Sequence, residues 1–113
     1  MENIRGEFPI TLAGEERVMK CTGRMMDGLE AKLGKPVLRA LHEALEGQTY
    51  FRDMVTVFHA GLAANKDTRL NREKVADAIA EVGMSSLLKE YIDILSYSLS
   101  GGKELEKDAA PGE

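Results

Sequence analysis

The chain has 113 residues, enough for one domain whose core needs neither disulfides nor a structural metal. With 43% hydrophobic and 30% charged residues it has the composition of a globular protein, which excludes a disordered chain. The net charge is −4: residues 1–45 carry seven basic and seven acidic residues, residues 46–113 eight and twelve, so no segment gathers the basic patch that a phosphate backbone requires.

A single cysteine, Cys21, excludes an internal disulfide and points to a reducing compartment. No signal peptide is expected, and the longest apolar run, VTVFHAGLAA over 55–64, is too short and interrupted to cross a bilayer. The expected location is the cytoplasm, with no membrane partner.

The first stretch, RGEFPITLAGEERVMKCT over 5–22, alternates as a β-hairpin over 6–21. Phe8, Ile10 and Leu12 share one face, and Glu7, Pro9 and Thr11 the other. With the turn around Ala13-Gly14-Glu15-Glu16, Leu12 faces Arg17, Ile10 faces Met19 and Phe8 faces Cys21, which places Met19 and Cys21 on the apolar face. That face makes the hairpin a lid over helices, because two strands alone are marginal in water. Pro9 lacks an N–H, so the first strand is an edge. Glu7, Pro9 and Thr11 mark that edge as a candidate for self-association.

Five helices follow. Thr22 is a natural cap for the first, over 23–33, with Met25, Met26, Leu29 and Leu33 apolar and Gly34 at its end. Pro36 suits the first turn of the second, over 36–46, where Val37, Leu38, Leu41 and Leu45 recur at helical spacing until Gly47. The third spans 50–64 with Phe51, Met54, Val55, Phe58 and Leu62 along one side. The polar run NKDTRLN ends it, and Asn71 caps a fourth over 72–82, where Val75, Ile79 and Val82 form a narrow stripe before Gly83. The fifth starts at Ser85 or Ser86, spans 86–99 and stops at Gly101-Gly102. The fold class is thus α+β, mostly α: an N-terminal hairpin packed on five short helices in a single domain, 1–100, with 101–113 a flexible acidic tail.

The fifth helix is apolar over more than one stripe. Leu87, Leu88, Tyr91, Ile92, Ile94, Leu95 and Leu99 suit either a central helix or one with a face turned to a partner. The candidate partner-binding residues are Leu87, Leu88, Tyr91, Ile92, Ile94 and Leu95.

No catalytic constellation emerges, and no metal or cofactor is expected. HEALE at 42–46 pairs His42 with Glu46 on one helix face, but the second histidine of a zinc-hydrolase helix is replaced and His59 lies on another helix. Ser86 and Lys89 match a serine–lysine pattern without its companion motifs, and Ser86 reads as a helix cap. GKP at 34–36 is no phosphate loop, and NKDTRLNRE has Leu70 where a calcium loop needs glycine. Cys21 reads as a small core residue. KVADAIAEVGMSSLLKEYI over 74–92 has the outline of a helix-turn-helix, yet its second helix offers Ser85, Ser86 and Lys89 followed by Glu90 and Asp93, which repel phosphates.

Arg5-Gly6-Glu7 before an alternating strand, Gly14 in the turn, Thr22-Gly23 after the second strand and Leu29-Glu30 before Gly34 resemble the opening of a family of small proteins from phage-like tail clusters. These are the tail-assembly chaperones of the gene-transfer-agent type, also labelled tail tube proteins. The resemblance extends over about residues 4–100. Arg24, Met25 and Met26 depart from it, standing where the family pattern has a small residue and a leucine. The resemblance implies a non-enzymatic protein that keeps the helical tape-measure protein soluble while tail tube subunits polymerise around it. It implies the tape-measure protein and the tail tube protein as partners, a homo-oligomer, and transient residence on assembling tails. The alternatives are a structural tail subunit retained in the particle and a helix-turn-helix regulator.

Overall fold

A computed structural model describes residues 6–100. The order is β1 (Glu7–Leu12), β2 (Glu15–Lys20), α1 (Gly23–Leu33), α2 (Val37–Leu45), α3 (Phe51–Ala64), α4 (Arg72–Val82) and α5 (Met84–Ser100). Arg5 and the acidic 101–113 segment lie outside the described residues.

The strands pair antiparallel with Phe8 opposite Met19, Ile10 opposite Arg17 and Leu12 opposite Glu15. This is two residues away from the expected register. The loop is Ala13-Gly14 alone, and both residues have positive φ, 55° and 75°, as a type I′ turn requires. A two-residue slip leaves every side chain on its own face, so Phe8, Ile10, Leu12, Met19 and Cys21 are buried as expected. Arg17 joins them at 7% exposure.

Local chemistry explains the helix boundaries. Thr22 Oγ1 accepts from Met25 N at 3.1 Å, and Gly34 closes α1 in the left-handed region. Pro36 is the residue before α2 and not within it, and the Glu30 carboxylate accepts from Val37 N at 2.9 Å. Asn71 Oδ1 accepts from Lys74 N at the start of α4. Helix α5 begins at Met84, so Ser86 lies inside it and is not its cap; Ser86 N donates to Gly83 O.

Helix α3, and not α5, is the hub. It packs against β2, α1, α4 and α5. Met54, Val55, Val57, Phe58 and Leu62 are each at most 2% exposed, so α3 is buried on nearly all sides. Phe51, expected on its apolar side, remains 39% exposed. Gly61 allows the closest approach: a Cβ there would lie 2.9 Å from Met19 Cβ. Helix α5 packs on α2, α3, α4 and β1, and its end meets the start of the hairpin. There Tyr97 stands edge-on to Phe8 at 5.6 Å, and Cys21 Sγ lies 3.3 Å from Ser98 Oγ.

Candidate partner-binding surface

The fifth helix divides along its length. Leu87, Tyr91, Ile94 and Leu95 are at most 5% exposed and face the core. Tyr91 meets Phe58 edge-on at 6.2 Å, and burial, with Asp53 and Glu43 nearby, pushes its hydroxyl pKa far up. Leu88 and Ile92 are half-buried, and Leu99 is 44% exposed. At 100° per residue these three share one flank of α5, away from the Tyr97 flank that meets β1. The apolar surface that α5 leaves accessible therefore comes down to Leu88, Ile92 and Leu99, with the other four residues occupied by the core.

Helix α2 carries a second apolar stripe. Its buried face is Val37, Ala40, Leu41 and Ala44, which packs on α5. Leu38 and Leu45, expected in the core, are 51% and 62% exposed. The physical reason is that two alanines, at 40 and 44, admit α5 closely and turn the bulkier leucines to the margin. Opposite that margin, Glu43 is bound to Lys35 Nζ at 2.7 Å, and the same ammonium reaches Asp53 of α3 at 2.6 Å. Lys35 also lies 4.5 Å from the ring centre of Tyr50. Burial alone would lower the Lys35 pKa; its hydrogen bonds to Asp53 and Glu43 outweigh that and hold it above the ordinary value. The triad fixes the rotation of α2 and hence the outward position of Leu38 and Leu45.

The hairpin edge is equally defined. Residues flanking a two-residue loop form a hydrogen-bonded pair, and pair types alternate along the strands. The nitrogen of Pro9, opposite Val18, therefore points away from β2, where no N–H is needed. Val18 O, on the outer edge of β2, accepts from Asn65 Nδ2 at 2.9 Å. So β2 is covered by the end of α3, while β1 has no strand neighbour on its outer side among the described residues. Pro9 and Thr11 are exposed there and Glu7 is half-buried.

The remaining chemical candidates stay apart. His42 is exposed on α2, Glu46 follows its end and His59 sits on α3; among the described residues no three His, Cys, Asp or Glu side chains gather to hold a metal. A shallow depression of about 210 Å³ beside the hairpin turn is lined by Ala13, Leu70, Lys74, Asp77, Ala78 and Glu81, with no hydroxyl or thiol nucleophile. The joint of the helix-turn-helix outline is Gly83 alone, and Lys89 is bound to Asp93 at 2.8 Å. No described helix is long and apolar enough to cross a membrane.

The family model described as phage tail tube protein, GTA-gp10, matches residues 5–101. The chain belongs to that family. Membership gives it a role in a phage-type tail of the gene-transfer-agent kind. The match spans both strands and all five helices, so the leucine stripes and the hairpin edge belong to the family domain itself. Neither the curated proteins nor the solved structures compared with it give a match.

Sequence reasoning missed Leu38 and Leu45 as surface residues. The signal was present: Ala40 and Ala44, with Val37 and Leu41, make a second helical stripe that competes with the leucine one.

Proposed function

We propose that this phage-tail protein is an assembly chaperone whose α2 and α5 stripes hold an apolar face of the helical tape-measure protein until tube subunits polymerise around it. The observation that carries this reading is the exposure of Leu38 and Leu45 beside a helix that itself leaves Leu88, Ile92 and Leu99 at its margin. Isolated leucines on a surface are ordinary, but paired stripes at helical spacing on two packed helices suit a helical client. Contacts between copies of the chaperone are assigned to the β1 edge at Pro9 and Thr11.

The test is co-expression with the long helical protein of the same tail cluster. Wild-type protein should bring that client into solution and co-purify with it. Leu38→Asp, Leu45→Asp and Ile92→Asp should keep the circular-dichroism spectrum and melting cooperativity yet lose the client. A client that stays insoluble with wild-type protein would overturn the proposal.

A second reading rests on the family's own description as tail tube protein: a subunit retained in the particle. Mass spectrometry of purified particles separates the two. Fixed stoichiometry in mature tails supports the subunit; absence from tails that required the protein for assembly supports the chaperone.

A further inference from the structure

Helix α3 reaches solvent mainly along one stripe. Arg52 and Ala63 are exposed on it, His59 is half-buried, and Thr56 lies between at 9% exposure. Helix α1 flanks α3, as does α4. Arg72, the first residue of α4, reaches across to that stripe: Nη1 donates to Thr56 Oγ1 at 2.9 Å and Nη2 to Arg52 O at 3.5 Å. Thr56 Oγ1 in turn donates to Arg52 O at 2.8 Å. These acceptors are neutral. They orient the guanidinium and leave its charge unbalanced.

No described carboxylate forms an ion pair with Arg72, Arg52 or Lys32, although Arg17, Lys35, Arg69 and Lys89 all have one. The field is felt by His59, whose pKa is held below its ordinary value by burial and then by Lys32 and Arg72. On a chain of net charge −4 this stripe is a local reversal of sign.

We infer that Arg52 and Arg72, with Lys32 of the flanking helix α1, form a second docking surface, which takes a carboxylate-bearing segment of a partner protein. An oriented guanidinium with donors to spare matches a carboxylate in a two-bond fork. Arg72 is held at the Arg52 turn of α3, so the two arginines lie close together. They suit neighbouring acidic side chains on one helix or extended segment, with Lys32 a further cation on α1. The three cations fall short of the broad positive face that a polyphosphate needs to overcome the repulsion of an acidic protein. The surface involves α1, α3 and α4, whereas the leucine stripes lie on α2 and α5, so it stands independently of the chaperone reading.

Fluorescence anisotropy with a labelled oligoglutamate peptide at low salt tests this, using the full chain. Wild-type binding should weaken with added salt, and Arg52→Gln or Lys32→Gln should each cost about tenfold in affinity with an unchanged melting curve. Arg72→Gln should cost at least as much in affinity, with a small loss of stability because it also gives up the bonds to Thr56 and Arg52 O. Lys74→Gln, on another side of α4, should leave it unchanged. No measurable binding, or an equal loss in Lys74→Gln, overturns the inference. So does tighter binding of a labelled single-stranded oligonucleotide that depends on the same residues, which would make the partner a phosphate polymer.

Discussion

The Asp53 carboxylate lies 2.6 Å from Lys35 Nζ, and the two side chains are 2% and 10% exposed. With Glu43 at 2.7 Å on the same ammonium, this contact ties together the α1–α2 junction, α2 and α3. Lys35→Met should cost about 3 kcal/mol, because it leaves a buried carboxylate uncompensated, and Lys35→Met with Asp53→Leu should recover most of the loss. Urea melts of the single and double variants measure both. The elevated lysine pKa stabilises the fold below its ordinary value of 10.5, and that contribution is lost only as pH rises through the higher folded value. It is therefore fully present at neutral pH.

A second ion network acts at the opposite pH extreme. Asp67 takes Arg17 Nη1 at 3.1 Å and Arg69 Nε at 3.2 Å. Its pKa is depressed, first by the Arg69 hydrogen bond and then by that of Arg17, against the opposing effect of burial. The carboxylate contributes stability above its ordinary value of 3.8, and loses it as pH falls through the lower folded value. Asp67→Asn should flatten the acid limb of a stability–pH profile. At pH 7 it should cost about 1–3 kcal/mol, because Arg17 is left with a buried donor in want of a carboxylate.

Gly61→Ala should destabilise by about 1–3 kcal/mol. The new Cβ would meet Met19 Cβ at 2.9 Å and Ile94 Cδ1 at 3.3 Å, and Met19 Cβ is fixed to the β2 backbone and cannot swing aside. Gly28→Ala, in the middle of α1 with open space around it, should instead stabilise by about 0.5–1 kcal/mol through helix propensity. Thermal melts of the pair give opposite signs if the α3–β2 contact is as close as described.

Ala13→Asn should stabilise the hairpin by about 0.5–1 kcal/mol, since asparagine tolerates the left-handed region better than alanine and the Asn-Gly pair suits a type I′ turn. Chemical denaturation reads the gain. A loss would mean that the turn is not the two-residue one.

Much of this fold was legible in the sequence because its punctuation is local. Thr22, Gly34, Asn71 and Gly83 act within one turn of themselves, so element order and most boundaries follow from them. The hairpin register was not legible, because Ala13 in a positive-φ position carries no sequence mark that distinguishes it from strand. The ranking of α3 over α5 was hidden for another reason. Asp53 and Thr56 look like surface residues, and Asp53 stays buried through the ammonium of Lys35, distant in sequence, while Thr56 bonds back to Arg52 O and accepts from Arg72. The same holds for the leucine stripe of α2: its rotation is set by Lys35 and by alanines that attract no attention in a hydrophobicity pattern.

Gly6 leaves no room for a side chain between Cys21 O and the ring of Tyr97, so the first described residue rests against the last turns of α5. The backbone consequently runs in a nearly closed circuit, and where it is cut is a matter of convenience to the architecture. Residue 100 joined to residue 6 by a short linker, with new termini opened between the exposed Gly47 and Gln48, would keep every element beside its present neighbours. In such a permutant β1 and α5 become consecutive in the chain, and the contact between them, the most distant in sequence that the domain makes, becomes a local one.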